Sequence, residues 1–242
     1  MKNILVIGGT SGIGRALVDR LMNEGNRVIN FDMKDPGPVV TKHYDVDLSN
    51  DQSIKDAVNS LVEDNDGNEV KLDSVYFCAG IAEEPTPDLK NDFDFINKLI
   101  AVNSSSVIKV LSLVQDLVVA GGSILVVSSA HSQRAANWNP IYSGTKGFID
   151  SFVKSFAKSL VEKAFRNGHA PVRINAVNPE MVDTPLIHDL FVGKEDELDK
   201  VTKSRILKRL LSSDEVVDTM IYLNSEYATG ITGNVTPIGG NI

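Results

Sequence analysis

Several things are scarce or missing in this sequence, and each absence excludes something. There is one cysteine, Cys78, which rules out an intramolecular disulfide and fits a reducing compartment. The histidines, His43, His131, His169 and His188, show no ligand spacing with one another or with Cys78, so no metal site is expected. Positive charge is in deficit, with 24 Lys and Arg against 32 Asp and Glu and a net charge of −8. That balance argues against nucleic acid or an anionic membrane as partner. No apolar run approaches the length of a membrane span. The opening residues 1–7 are too short for a signal h-region and run straight into glycines. A cytoplasmic location is the default expectation. Linkers, repeats and low-complexity stretches are also missing.

What is there reads as an ordinary globular chain. With 242 residues, 42% hydrophobic and 23% charged, it is long enough to bury a sizeable core in one α/β domain. Residues 4–7 form a short continuous apolar run, as expected of a strand buried on both faces. Further strands are expected at 28–31, 74–77, 123–127, 172–177 and within 231–240. Between them lie helical patterns at 13–24, 53–62, 93–119, 140–167 and 213–223. Gly121-Gly122 reads as the stop of the fourth strand's preceding helix, 64–68 as a polar helix exit, 83–87 as a loop, and 183–203 as polar and weakly periodic. Alternating strands and helices predict right-handed crossovers and an α/β fold: a Rossmann-like, doubly wound parallel sheet with helices on both faces, residues 1–242 as one domain. Ligands in such folds bind beyond the carboxyl ends of the strands.

Two stretches carry chemistry there. Gly8-Gly9-Thr10-Ser11-Gly12-Ile13-Gly14 lies between the first strand and the first helix. Its glycines permit a tight turn and let the backbone approach a pyrophosphate at a helix N-terminus. Asp32 ends the second strand, where an acid hydrogen-bonds the ribose hydroxyls of an adenine nucleotide. Its charge opposes a 2′-phosphate, which favours NAD over NADP, with Lys34 nearby working the other way. The second stretch begins Asn139-Pro140, an N-cap followed by a good first helical residue. Tyr142 and Lys146 follow four residues apart, on one helix face. An isolated Tyr has a pKa of about 10, and a neighbouring ammonium favours the phenolate. Such a pair serves as a proton-transfer device, although taken alone it reads more readily as an ordinary Tyr and Lys on a helix surface.

Taken in order, these motifs resemble the short-chain dehydrogenase/reductase family in its compact single-domain form, over essentially the whole chain. The resemblance rests on Gly8, Gly12 and Gly14; Asp47-Leu48; Ala79-Gly80; Asn103; Ser129, thirteen residues before Tyr142; Tyr142-x-x-x-Lys146; Asn178-Pro179 with Val182 and Thr184; and Ile231-Thr232-Gly233 with Gly239-Gly240. It implies an NAD(P)-dependent oxidoreductase interconverting a secondary alcohol and a carbonyl through a proton relay of Ser129, Tyr142, Lys146 and Asn103. It implies cofactor contacts from the glycine loop, Asp32, Asp47, Leu48, Ala79, Gly80, Tyr142, Lys146, Pro179, Val182 and Thr184. It also implies a substrate lid over 183–205, with Met181, Leu186, Ile187 and Leu190 closing over a small-molecule substrate. The apolar stretch 107–119 and the stripe Phe148, Phe152 and Phe156 suggest a subunit interface, and the resemblance implies a homotetramer.

There are departures. Phe77-Cys78 replaces a pair of asparagines, and Cys78 reads as a small buried apolar residue. Glu180 stands where the family usually has glycine. It either turns to solvent, or contacts a polar or cationic substrate, or shapes the pocket. His131, near the expected pocket, is either a second acid–base group or a hydrogen-bonded structural histidine. The alternative from another class is a catalytically silent NAD(H)-binding sensor or partner-binding protein on the same fold. Such a protein has no reason to keep Ser129, Tyr142, Lys146 and Asn103 together.

Overall fold

Side chains alternate along the first strand, β1 (Asn3–Ile7), and both sets are buried. Leu5 and Ile7 point to one face of the sheet, Ile4 and Val6 to the other. A strand reads as a continuous apolar run when both faces are covered, which is what makes this sheet legible. The computed structural model describes residues 1–64, 69–82, 92–134 and 139–240. Within them, β1 sits near the middle of a seven-stranded sheet of order β3-β2-β1-β4-β5-β6-β7, every neighbouring pair parallel. The other strands are β2 (Arg27–Asp32), β3 (Lys42–Asp45), β4 (Leu72–Phe77), β5 (Val118–Val127), β6 (Arg173–Pro179) and β7 (Val235–Ile238).

Helices α2 (Asp51–Glu63), α4 (Ser106–Val114) and α5 (Pro140–Asn167) pack their apolar stripes on the Leu5 face. Helices α1 (Gly12–Asn23) and α8 (Ser213–Leu223) cover the Ile4 face. Capping follows the sequence: Asn50 accepts the backbone N–H groups of Gln52 and Ser53, and Ser212 with Glu215 forms a capping box. The order of strands reverses between β1 and β4, and the crevice beyond their carboxyl ends is the ligand position of a doubly wound sheet. Among the described residues, no helix is long and apolar enough to cross a membrane.

The structure departs from the sequence expectations in three places. Edge strand β3 is polar, with no apolar run to betray it; it pairs with β2, and Lys42 and Tyr44 reach Asp64 at the end of α2. The helix of 93–119 is α3 (Phe93–Ile100), a π-helical turn (Ala101–Ser105) and α4, followed by a short 3₁₀ turn that ends at Leu117. Gly121-Gly122 therefore stops no helix. Both lie inside β5, where the register against β4 shifts, and a Cβ on Gly122 would come within 2.7 Å of Val118 Cγ1. The polar segment after β6 contains α6 (Pro185–Leu190) and α7 (Glu195–Lys203). Most of the expected helix exit at 64–68 and all of the loop at 83–87 lie outside the described residues.

Candidate active site

The turn from β1 into α1 is built by steric necessity. Gly8 has φ 84°, and a Cβ on Gly14 would stand 1.9 Å from the Gly8 carbonyl oxygen. The turn is braced from β2: Gly9 N donates to Asn30 Oδ1 at 2.9 Å and Thr10 N to Asp32 Oδ2 at 3.1 Å. Ser11, the N-cap of α1, makes no side-chain capping bond, so no side chain there competes for the first-turn N–H groups. Beside this turn lies a cavity of about 410 Å³. Of the residues expected to hold a cofactor, Gly8, Ser11, Gly12, Ile13, Gly14, Asp32, Asp47, Leu48, Ala79, Gly80 and Thr184 line it. Thr10 does not; its hydroxyl donates to Lys34 O at 2.8 Å and shapes the loop. The side-chain-free cradle, the uncapped helix start and the acid at the end of β2 fit a dinucleotide.

A second cavity, of about 150 Å³, shares Ile13, Cys78, Gly80, Thr184 and Leu186 with the first, so the two adjoin. Its walls bring together Ser129, His131, Tyr142, Lys146, Pro179, Glu180, Met181, Val182, Leu186, Ile187 and Leu190. Ser129 follows β5 and caps a 3₁₀ turn (Ala130–Ser132), accepting His131 N at 3.2 Å. The Tyr142 phenol and the Ser129 hydroxyl line the same cavity, and Ser129 is near enough to act on the phenol's ionisation. Lys146 lies one turn further along α5, buried, with its Nζ 5.6 Å from the Tyr142 ring centroid and donating to Val127 O at 3.0 Å.

Asn103 lines neither cavity. It sits in the π-helical turn, fully enclosed, where its side chain accepts Ile81 N at 2.9 Å and donates to Ile81 O at 2.8 Å. That clamp ties the chain beyond β4 to the helix layer. A π turn inside a helix is a recurrent mark of functional sites.

The electrostatics correct one expectation. Burial raises the Tyr142 phenol above its usual value, against the Ser129 hydroxyl, which lowers it. Burial also brings Lys146 down to about 8, opposed by Asp150 and Cys78. Desolvation is the largest influence on both groups and opposes the acidification of Tyr142 expected from Lys146. Cys78 is pushed up to about 12 by burial and stays a thiol, as its reading as an apolar residue requires.

His131 and Glu180 both line the smaller cavity, Glu180 as the pocket-shaping alternative has it. The His131 ring meets Tyr142 edge-on, 5.8 Å between centroids. Its Nδ1 is buried without a hydrogen-bond partner among the described residues, so it is not a hydrogen-bonded structural histidine at that nitrogen. Burial first, then the charges of Arg134 and Arg205, bring its pKa down to about 4, which keeps it neutral near pH 7. Glu180 is buried, not turned to solvent. Its carboxylate accepts from Arg134 at 2.6 and 3.2 Å, with Arg205 Nε at 3.6 Å, so its charge is already spent on two cations of this chain rather than on a cationic substrate.

Sequence reasoning missed Arg134, Arg205 and Asp150. The arginines lie far from Glu180 in the chain, and no local pattern marks them. Asp150 had a signal: it continues the Tyr142, Lys146 spacing by one more turn. It is buried, accepts Ser132 Oγ at 2.6 Å and Asn178 Nδ2 at 3.0 Å, and so joins α5 to the segment after β5 and to the end of β6. Among the described residues no His, Cys, Asp and Glu group is arranged to hold a metal.

Comparison with known proteins gives a consistent picture. A family model described as enoyl-(acyl carrier protein) reductase matches residues 8–240. The chain is 28% identical to the L-xylulose reductase of Bos taurus over 253 residues, covering 99% of this chain and 95% of that protein. It is 27% identical to the uncharacterized oxidoreductase YxbG of Bacillus subtilis (strain 168), covering 99% of this chain and 90% of that protein. A short-chain dehydrogenase family protein from Francisella tularensis superposes with a TM-score of 0.86 at 26% identity, covering 98% of this chain and 97% of that one.

Proposed function

The chain belongs to the short-chain dehydrogenase/reductase family, and on that footing we propose that it interconverts a secondary alcohol and a carbonyl by NAD-dependent hydride transfer, with Tyr142 handling the proton. The observation that carries the reading is the meeting of Ser129, Tyr142 and Lys146 on one cavity that adjoins the glycine-turn cavity. The nicotinamide, when bound, supplies or accepts the hydride. The rest is work for the chain's own residues.

Ser129 hydrogen-bonds the substrate oxygen and orients it. Tyr142 gives its phenolic proton to a carbonyl oxygen, or takes one from a hydroxyl as phenolate. Lys146 supplies positive charge beside the phenol and a donor toward the nicotinamide ribose. Asn103 holds the Ile81 segment, and with it the floor of the relay, in place. Asp32 favours NAD: its carboxylate, held by the N–H groups of Thr10 and Lys34, stands at the rim of the larger cavity and opposes a 2′-phosphate. The segment 183–205 acts as a lid that excludes water. The lid contributes Leu186, Ile187 and Leu190 to a largely apolar wall.

The test is a panel assay with NAD and NADP. Pentuloses and polyols belong on it because of the Bos taurus relative, and a hydroxyacyl and an enoyl thioester because of the matching family model. Turnover of a secondary alcohol with NAD supports the reading. Turnover of the enoyl thioester alone replaces the alcohol chemistry. Tight NADH binding with no turnover across the panel favours a silent sensor.

A further inference from the structure

The polar segment after β6 leaves the body of the protein and returns to the place it left. Val182 and Leu211 form a parallel bridge at its neck; Asp183 N donates to Leu211 O at 2.8 Å, and Leu211 N to Met181 O at 2.9 Å. Beyond this neck, α6 and α7 contain no buried residue. A segment with so little buried apolar surface opens at low free-energy cost. Full burial of side chains therefore does not tie these helices down over the smaller cavity.

One carboxylate does. Glu180, in the short stretch between β6 and the neck, has a side chain only 6% exposed. It receives both terminal nitrogens of Arg134, at 2.6 and 3.2 Å, from the segment that carries Ser129 and His131. Arg205, from the returning limb of the excursion, forms an ion pair with it without a hydrogen bond, Nε 3.6 Å from Glu180 Oε2. Arg205 also reaches Met181 Sδ at 3.7 Å. The glutamate itself is anchored: its backbone N–H donates to Ile238 O at 3.0 Å, and a Cβ on Gly239 would come within 3.0 Å of its own Cβ. The returning limb bends at Lys208, a non-glycine residue with φ 55°. Ile206 packs against the C-terminal end, where a Cβ on Gly240 would meet it at 2.9 Å. Two guanidiniums thus converge on one buried carboxylate, one from the segment after β5 and one from the returning limb. Removing either kind of partner leaves buried charge without its counter-charge.

We propose that Glu180 is a positioning residue which, through Arg134 and Arg205, latches the 183–211 excursion shut over the Ser129–Tyr142 cavity. The consequence for catalysis rests on the reading given above; the latch itself does not. A glycine at this position has no side chain to make the link, so the excursion of a glycine-bearing relative needs another tether or moves more freely. The latch also explains why Glu180 lines the cavity without offering it a free charge.

Amide hydrogen exchange of the whole protein tests this without a substrate. In Glu180→Gln and in Arg205→Met, amides of 185–210 exchange at least about tenfold faster than in wild type, while amides of β6 and α8 keep their protection. Arg205→Lys, which keeps the charge, stays nearer wild type than Arg205→Met. The double variant opens little further than the faster single variant, because both break one link. The idea is overturned by exchange in 185–210 within about twofold of wild type in both single variants. It is equally overturned by acceleration that spreads evenly into β6 and α8, since that marks general destabilisation. Should Glu180→Gln fail to fold, the Arg205 pair decides: fast with Met and slow with Lys supports the latch, and equal rates reject it. Where turnover has been found, Arg205→Met raises KM more than it lowers kcat. Absence of turnover leaves the exchange result standing, so failure of the latch and failure of the enzyme reading are told apart.

Discussion

At the scale of single residues, the site is a contest between burial and charge. Tyr142 and Lys146 are both disfavoured in their ionised forms by the same walls that exclude water. His131 shows the cost most clearly. Its pKa of about 4 in the folded chain lies below the ordinary value of about 6.5. Between those two values the unfolded chain binds a proton that the folded chain refuses, so stability rises with pH across the window and is lost as pH falls through it. The size is on the order of 2 kcal/mol. Urea unfolding at pH 7 and near pH 4.5 measures it: His131→Gln loses less stability than wild type over that interval. An equal loss in both removes His131 from the account. Asp32 makes the other residue-scale prediction. NADH binds more tightly than NADPH, and Asp32→Ala narrows the difference, as titration by intrinsic fluorescence would show; tighter NADPH binding by wild type contradicts it.

Among elements, the decisive pieces are turns rather than helices or strands. The β1–α1 turn closes only because position 14 has no side chain. Gly14→Ala forces a rearrangement costing roughly 3 kcal/mol, or a fall in Tm of roughly 6 to 12 °C, together with loss of NADH affinity. A Tm within a degree or two of wild type rejects this explanation of the glycine. Asn103→Ala removes both bonds to Ile81 from a buried position, a loss of about 2 kcal/mol. Gly14 was legible in the sequence because its chemistry is local, a glycine pattern between a strand and a helix; Asn103 was singled out only by the family resemblance. The π turn around Asn103 was not legible, since its sequence, Ala101 to Ser105, differs in nothing from α-helix. Strand β3 was hidden for a different reason. An edge strand with Lys42 and His43 buries too little to show an apolar run, and tertiary pairing supplies what propensity does not. Gly121-Gly122 misled because glycines that end a helix and glycines that bend a strand look alike until a partner strand is known.

For the whole molecule, the alternation of apolar strands and amphipathic helices carried the fold, and the residues beyond the strand ends carried the site. What the sequence hid was the meeting of distant charges: Arg134, Glu180 and Arg205 come together only through the topology. The outer surface points to assembly. Phe148, Phe152 and Phe156 stack along α5, and Ile108, Leu113, Val161 and Phe165 are exposed on the same helix layer. We expect a homotetramer, with a mass of four chains by light scattering; a monomer contradicts that expectation, and Phe148→Asp reduces the assembly. The central claim concerns Tyr142. The most direct measurement runs wild type and Tyr142→Phe side by side on one alcohol that wild type oxidises with NAD, with NADH binding measured for both. The account predicts a fall in kcat of about a thousandfold or more with NADH affinity nearly unchanged, because only the proton-bearing oxygen is gone. Turnover in Tyr142→Phe close to that of wild type would contradict it.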